Sequence, residues 1–94
     1  MAIAVVFNFD GGTAEQYDAL VREMGIAGQP ASAIAGLFFL AAGPAEGGFR
    51  VFDVWESQEA LDRFSRDRLM PAAEKIGGIP QPRVEVVPVH AMMR

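Results

Sequence analysis

Short apolar runs along the chain alternate with polar segments of helical spacing, and this alternation predicts the order of elements. Residues 2–9 are apolar, with β-branched and aromatic members, and are followed by Asp10-Gly11-Gly12. This is the pattern of a strand that ends at a turn. Thr13 followed three positions later by Gln16 has the pattern of a capping box, which predicts the start of a helix. Gly25 is expected to end it.

A β-hairpin is predicted in the middle of the chain. Residues 25–33 are rich in small and polar side chains, which indicates a loop. Residues 34–42 are continuously apolar, so that helix and strand compete there, and an aromatic pair with a following Gly-Pro breaker favours a strand. A turn at 44–48 and a returning strand at 49–56 complete a hairpin with a five-residue loop.

A second helical region follows this hairpin. Ser57 is a typical N-cap residue and predicts a helix over residues 58–68. Proline in a helix removes one hydrogen bond and crowds the preceding turn. We therefore expect a kink near Pro71 and a separate short helix over residues 69–76.

The last element closes the pattern as an α+β fold. A loop over residues 77–82 precedes a strand over residues 84–90, and Pro88 places this strand at an edge of the sheet because it lacks an N–H group. The order is β-α-β-β-α-β, the ferredoxin-like arrangement of four antiparallel strands with two helices on one face. We expect residues 1–94 to form a single domain.

Both faces of the predicted sheet are apolar, although two helices can cover only one of them. In the third strand, Phe52 and Val54 face away from Val51, Asp53 and Trp55. A large exposed apolar face usually marks an interaction surface. We therefore expect an obligate homodimer in which two sheets face each other as a dimeric α+β barrel, the alternative being a hydrophobic partner protein.

Composition narrows the classes of function. Twelve acidic residues against eight basic ones give a net charge of −4, which argues against sequence-independent nucleic-acid binding. The chain has no cysteine, which suits a reducing compartment. No apolar run approaches the roughly 20 residues of a membrane span. We expect a cytoplasmic protein that binds neither nucleic acid nor membrane.

Aromatic residues at the junction of sheet and helices indicate a candidate pocket. Trp55 ends the third strand and lies two residues before the Ser57 cap, where its ring can form one wall of a cleft. Tyr17 and Phe64 lie on the apolar stripes of the two helices and are the other candidates for contact with a substrate. For each of the three, plain core packing is the alternative.

Three polar residues are candidates for catalysis. Asn8 can either polarise a substrate oxygen or bond the backbone near the following turn. Asp53 lies within an apolar strand and is either paired with Arg50 or Arg83 or serves as a base of raised pKa. His90 is the only histidine and is either a base or a structural residue.

The segment around Trp55 carries a resemblance to a known superfamily. The sequence Trp55-Glu56-Ser57 at the end of the third strand, within the β-α-β-β-α-β order, resembles the dimeric α+β barrel proteins and, among them, the antibiotic-biosynthesis monooxygenase (ABM)-like group. The helical positions that share in this likeness are Ala60, Phe64, Leu69 and Ala73.

This resemblance implies two kinds of chemistry. Cofactor-independent members oxidise electron-rich phenolic polyketides with molecular oxygen, and Asn8 and Trp55 match an asparagine and a tryptophan that recur there. Haem-degrading members have an Ala-Ala-His ending with a histidine ligand, whereas this chain has Ala72-Ala73-Glu74. Carboxylate replaces imidazole poorly as a haem ligand, which argues against haem degradation. We expect no cofactor and no metal site.

Two hypotheses therefore remain open at the level of sequence. The first is a cofactor-independent monooxygenase that acts on a small aromatic or polyketide-like substrate. The second is a non-catalytic homodimeric module that binds a small apolar or aromatic ligand. Fold likeness alone does not decide between them.

Overall fold

The structure is a computed structural model, and it describes residues 1–93. It is an α+β fold with a four-stranded antiparallel sheet, as predicted. The strands are β1 (Ile3–Asp10), β2 (Leu37–Ala45), β3 (Gly48–Trp55) and β4 (Arg83–Pro88), and they lie in the order β2-β3-β1-β4. The helices are α1 (Ala14–Glu23), α2 (Gln58–Phe64) and α3 (Met70–Ile76).

The N-terminal caps of α1 and α2 are those predicted. Thr13 Oγ1 accepts from the Gln16 N–H at 3.1 Å, and Gln16 Oε1 accepts from the Thr13 N–H at 3.1 Å, which completes the capping box. Ser57 Oγ accepts from the Ala60 N–H at 3.1 Å. Each cap satisfies an N–H group that the helix itself leaves unpaired.

The hairpin between β2 and β3 has a shorter loop than predicted. Ala45 pairs with Gly48, so the loop is the two residues Glu46-Gly47 rather than five, with Gly47 at φ +78°. Pro44 lies within β2 and pairs with Phe49. Because β2 is an edge strand, a residue without an N–H group can extend it without breaking a central ladder.

The start of β2 also differs from the prediction. Residues Ala31–Ala33 form a 3₁₀ turn, and the strand begins at Leu37 instead of residue 34. Gly36 has φ +83°, and a Cβ at this position would lie 2.5 Å from the Ala60 Cβ. Only glycine fits this close approach of the β2 entry to α2.

The second helical region changes its form just before Pro71, where the sequence predicts a kink. α2 and α3 are joined by a π-helical turn over Ser65–Leu69, and Pro71 lies in the first turn of α3. A proline ring crowds the carbonyl four residues before it, here that of Asp67, and a wider turn accommodates this crowding while the helix continues.

β4 lies at the other edge of the sheet, as predicted. Its register pairs Val84 with Phe7 and Val86 with Val5. The strand ends at Pro88, before His90, so it is shorter than the 84–90 expected. Both edges of the sheet therefore carry a proline, a residue typical of edge strands.

The two faces of the sheet differ in their cover. The helix-facing side carries buried core residues of β1 and β3, which are Ile3, Val5, Phe7, Phe49, Val51 and Trp55. The opposite side, called the open face here, is not covered by the helices and carries Phe39, Phe52 and Val87 with exposed fractions of 52%, 44% and 57%. The apolar character expected of the second face is thus present.

Among residues 1–93, no helix has the length and apolar character needed to cross a membrane.

Candidate functional site

A cavity lies between the helix-facing side of the sheet and the helices. Its floor is formed by side chains of the sheet, which are Phe7 and Phe9 of β1, Leu40 of β2, and Phe49, Val51 and Asp53 of β3. One wall is a face of α1, with Tyr17, Leu20, Val21 and Met24. Phe64, Leu69 and Ile79 also line it. The centre of a water molecule can reach about 60 Å³ of its interior, several times the roughly 10–15 Å³ that one water needs.

Among the described residues that line this cavity, Asp53 is the only charged one. It is 5% exposed, and its Oδ2 accepts a hydrogen bond from Trp55 Nε1 at 3.0 Å. Its Oδ1 has no hydrogen-bond partner within residues 1–93. Burial raises the pKa of Asp53 from its usual 3.8 to about 6, and the Trp55 hydrogen bond opposes this shift. A carboxyl group that titrates near neutral pH suits proton transfer.

The ion pairs proposed for Asp53 do not form. Arg50 donates through Nε to Asn8 Oδ1 at 2.9 Å, and Arg83 makes two bonds to Asp10, at 2.8 Å and 3.0 Å. Both arginines lie on strand positions whose side chains face the open face, whereas Asp53 faces the helices. The structure therefore disfavours a role for Asp53 as the partner of Arg50 or Arg83 in an ion pair.

Trp55 supports the cavity from outside its lining. Its side chain is fully buried, and its ring centroid lies 5.2 Å from that of Phe64 at an interplanar angle of 44°. Phe64 contacts the cavity directly, whereas Trp55 is not among the lining residues. The indole therefore holds Asp53 through its N–H and packs behind Phe64.

Tyr17 contributes a second polar group to the cavity. Its ring lies 5.4 Å from that of Phe49 between centroids, and the side chain is partly buried. Burial raises the pKa of Tyr17, and the negative charge of Asp53 adds to the shift. In the part of the chain that the structure describes, its hydroxyl makes no hydrogen bond.

Asn8 does not share this cavity. It is buried on the open face, where its Nδ2 donates to the Arg83 carbonyl at 3.3 Å and its Oδ1 accepts from Arg50. The register pairs Asn8 with Arg50 and Trp55 with Ile3, which sets Asn8 and Trp55 on opposite faces of the sheet. A single chain therefore does not bring these two residues into one cleft. The catalytic role assigned to Asn8 stays a prediction.

His90 lies outside the cavity as well. It is exposed, follows the end of β4 and does not line the cavity. Its role as a base stays a prediction. Among the described residues, no group of three or more His, Asp or Glu side chains is placed to hold a metal ion.

Several lining residues were not among the sequence candidates. Phe49 lies on the same side of β3 as Asp53, and Phe9 lies beside it on β1. The alternation of side chains along each strand could therefore have predicted both as lining residues. Ile79 comes from the loop after α3, where no periodic pattern exists. Gln16 Nε2 bonds the Gly78 carbonyl at 3.3 Å and links that loop to α1.

The buried carboxyl makes the stability of the fold depend on pH. Because folding raises the pKa of Asp53 to about 6, its protonation stabilises the fold fully below about pH 4, and this stability is lost as the pH rises through about 6. A pKa shift of about two units changes the free energy of unfolding by on the order of 3 kcal/mol between low and high pH. Urea unfolding of the wild type and of Asp53→Asn between about pH 4 and 8 measures the difference.

The comparison of the wild type with Asp53→Asn separates the effect of Asp53 on stability from the effects of other carboxylates. The hydrogen bonds from Arg83 and Arg66 hold the pKa values of Asp10 and Asp67 below their usual range, so these two groups change stability in the opposite sense, as the pH falls. They are present in both proteins. Parallel pH profiles of wild type and Asp53→Asn would contradict the expectation.

Known structures share this arrangement of sheet and helices. The sequence itself matches no family model and no curated protein. A dimeric ferredoxin-like protein of unknown function from Jannaschia sp. CCS1 aligns with a TM-score of 0.66 at 14% identity, over 95% of this chain and 100% of the other. A proposed antibiotic biosynthesis monooxygenase from Chloroflexus aurantiacus J-10-fl aligns with a TM-score of 0.64 at 17% identity, over 99% and 98%.

SnoaB, a cofactor-independent oxygenase from Streptomyces nogalater, aligns with a TM-score of 0.62 at 12% identity, over 98% of this chain and 94% of the other. The chain has the ferredoxin-like fold of ABM-like proteins. At these identities the likeness establishes the ABM-like fold and leaves the chemistry to the residues of the cavity.

Proposed function

We propose that this protein is a cofactor-independent monooxygenase that oxidises a small aromatic substrate in the cavity, with Asp53 as the general base. The observation that carries the proposal is the buried Asp53 carboxyl, whose Oδ1 has no partner within residues 1–93 and whose pKa is raised to about 6 in an apolar cavity. Perturbed carboxyl groups in clefts are typical of functional sites.

Asp53 would take a proton from an acidic O–H or C–H group of the substrate. The resulting electron-rich anion reacts with molecular oxygen, and the substrate itself supplies the electrons. For a ring methylene that becomes a carbonyl, R₂CH₂ and O₂ give R₂C=O and H₂O. The carboxyl returns its proton to the oxygen atom that leaves as water. An aromatic substrate suits this step because its ring delocalises the charge of the anion.

The remaining side chains of the cavity would position this substrate. The Trp55 N–H holds Oδ2 of Asp53, which fixes the orientation of the carboxyl group. The rings of Phe49 and Phe64 provide apolar surfaces for an aromatic molecule. The Tyr17 hydroxyl can donate to an oxygen of the substrate as negative charge develops there. The description of SnoaB as a cofactor-independent oxygenase supports this reading.

A second candidate function is the binding of a small apolar ligand without turnover. It is favoured by the small number of free polar groups, because among the described residues only Asp53 and Tyr17 offer unbonded atoms to the cavity. Binding sites are typically apolar with a few convergent polar groups, and this cavity meets that description whether or not a reaction follows.

We also propose that the protein forms a homodimer through the open face. The exposed aromatic residues Phe39 and Phe52 lie on this face with Val87, and burial of each large apolar side chain contributes about 1.5–3 kcal/mol. The Jannaschia neighbour is described as dimeric. At one end of the face, Asn8, Arg50 and Arg83 form a polar row. An apolar centre with a polar margin is typical of interfaces.

Oxygen consumption with a panel of phenols and hydroquinones tests the oxygenase. We expect Asp53→Asn to lower kcat by about 100-fold or more, because general-base catalysis contributes about that much. Glu46→Gln is the matched control, since Glu46 is an exposed carboxylate in the hairpin loop and should leave the rate unchanged. If no compound of the panel is oxidised while some of them bind, the second candidate function is favoured.

A further inference from the structure

The polar groups that line the cavity are few, and most of them are already bonded. The side chains of Thr13 and Gln16 are occupied by the capping box, and Gln16 Nε2 donates to the Gly78 carbonyl. Within residues 1–93, this leaves Oδ1 of Asp53 and the hydroxyl of Tyr17 for a ligand. Among the described residues that line the cavity, Tyr17 is the only other titratable one.

No basic side chain lines the cavity in the part of the chain that the structure describes. An anionic ligand would place a second negative charge beside Asp53 with nothing to neutralise either, and such buried like charges repel strongly. A neutral ligand with an O–H or N–H donor would instead satisfy Oδ1, which is otherwise buried without a partner.

A protonated amine fits this set of groups less well than a neutral donor. An ammonium group carries three N–H donors, whereas the cavity offers one free carboxylate oxygen and one hydroxyl. The third donor would be buried without a partner, together with the cost of removing the charge from water.

We infer that the cavity selects its ligand by charge: it admits neutral, largely apolar molecules that present one hydrogen-bond donor to Asp53, and it excludes anions. The inference rests on the proposed use of the cavity as a small-molecule site. It concerns binding alone, so it can hold whether or not oxygen is consumed.

Four probes of nearly the same shape separate the charge classes: 4-methylphenol, toluene, 4-methylbenzoate and benzylammonium. Trp55 is the only tryptophan and its Nε1–H donates to Asp53, so its single indole N–H resonance in NMR reports events at the carboxyl group. Titrations at about pH 8 should show 4-methylphenol binding about tenfold or more tightly than each of the other three, which is the effect of one hydrogen bond to a charged group.

The advantage of 4-methylphenol over toluene should shrink towards about pH 5. Burial raises the pKa of Asp53 to about 6, so the carboxyl is mostly protonated there and its free oxygen no longer carries a charge. Asp53→Asn should remove this pH dependence and reduce the preference at about pH 8, because a neutral amide bonds the phenol more weakly than a carboxylate does, whereas Glu46→Gln should retain both. The wild-type pH series is sufficient by itself if Asp53→Asn does not fold.

Tighter binding of 4-methylbenzoate or benzylammonium than of 4-methylphenol would overturn the inference. An undiminished preference in Asp53→Asn would overturn it too, as would the absence of binding by all four probes. Selective binding of 4-methylphenol without oxygen consumption by any phenol would support the inference and contradict the oxygenase, so the two proposals fail separately.

Discussion

Replacement of Trp55 by alanine is expected to lower the free energy of unfolding by about 3–5 kcal/mol, the usual cost of removing a buried tryptophan. The side chain is fully buried and packs on Phe64. Its N–H is also the only hydrogen-bond donor that Asp53 has within residues 1–93. Domains are stable by about 5–15 kcal/mol in total, so this change removes much of the stability.

The loss has a second component that depends on pH. Without the Trp55 donor, the ionised Asp53 is buried with no hydrogen bond, which costs about a further 1–3 kcal/mol. This component should vanish below about pH 4, where the carboxyl is protonated in both the folded and the unfolded states. Trp55→Ala should therefore destabilise the protein more at about pH 8 than at about pH 4.

Urea unfolding followed by far-UV circular dichroism measures both components, at one fixed protein concentration because association also stabilises the folded state. Trp55→Phe is the matched variant, since it keeps most of the packing and removes only the N–H donor. It should show the pH-dependent component with a smaller loss from packing. Equal losses at both pH values for both variants would mean that the hydrogen bond to Asp53 contributes nothing.

The elements of this fold could be predicted where local chemistry alone decides the backbone. The capping box of Thr13 and the Ser57 cap each satisfy a helix end with residues at most three positions apart. Alternation along β3 set Asp53 and Trp55 on one face and Phe52 on the other without knowledge of the partner strands. These features depend only on neighbours in sequence, so the sequence alone is enough to predict them.

The errors lie where contacts distant in sequence decide. β2 extends through Pro44 because it lies at the edge of the sheet, and the sequence does not state which strands are edges. The sequence predicts an irregularity near Pro71 but not its form, which is a π-helical turn over Ser65–Leu69. Both outcomes depend on tertiary context, which overrides local preference.

The candidate site was predictable in part for the same reason. Tyr17, Asp53 and Phe64 line the cavity, and the position of each within its own element is enough to predict it. The family resemblance points to Asn8 and Trp55 together, although they lie on opposite faces of the sheet. Alternation tells which residues of one strand share a face. Whether residues of two different strands share a face follows only from the register between the strands.

Replacement of Phe52 by glutamate is expected to convert the proposed dimer to a monomer. Phe52 lies on the open face, where the register sets it between Val6 of β1 and Ala41 of β2. In a two-fold interface the change occurs in both copies. Loss of about 2 kcal/mol of apolar burial from each copy weakens the dimer by about a thousandfold, before the cost of burying the new charges is added.

The fold of each chain should survive this substitution. Phe52 is 44% exposed in the single chain and does not belong to the core between sheet and helices. Far-UV circular dichroism should therefore be unchanged, while sedimentation velocity at micromolar concentration should show the wild type at about twice the mass of the variant. Met70→Glu is the matched control, because Met70 is 65% exposed on α3, on the helical side of the molecule.

Three outcomes distinguish the possible uses of the open face. A dimeric wild type with a monomeric Phe52→Glu variant and a dimeric Met70→Glu variant supports pairing through this face. A wild type that sediments as a monomer would contradict the homodimer and would favour a hydrophobic partner protein, since large exposed apolar patches mark interaction sites. A Phe52→Glu variant that remains dimeric would mean that the two copies associate elsewhere, and the edge strand β4, whose residues Val84 and Val86 are exposed on the helix-facing side, would be the next surface to substitute.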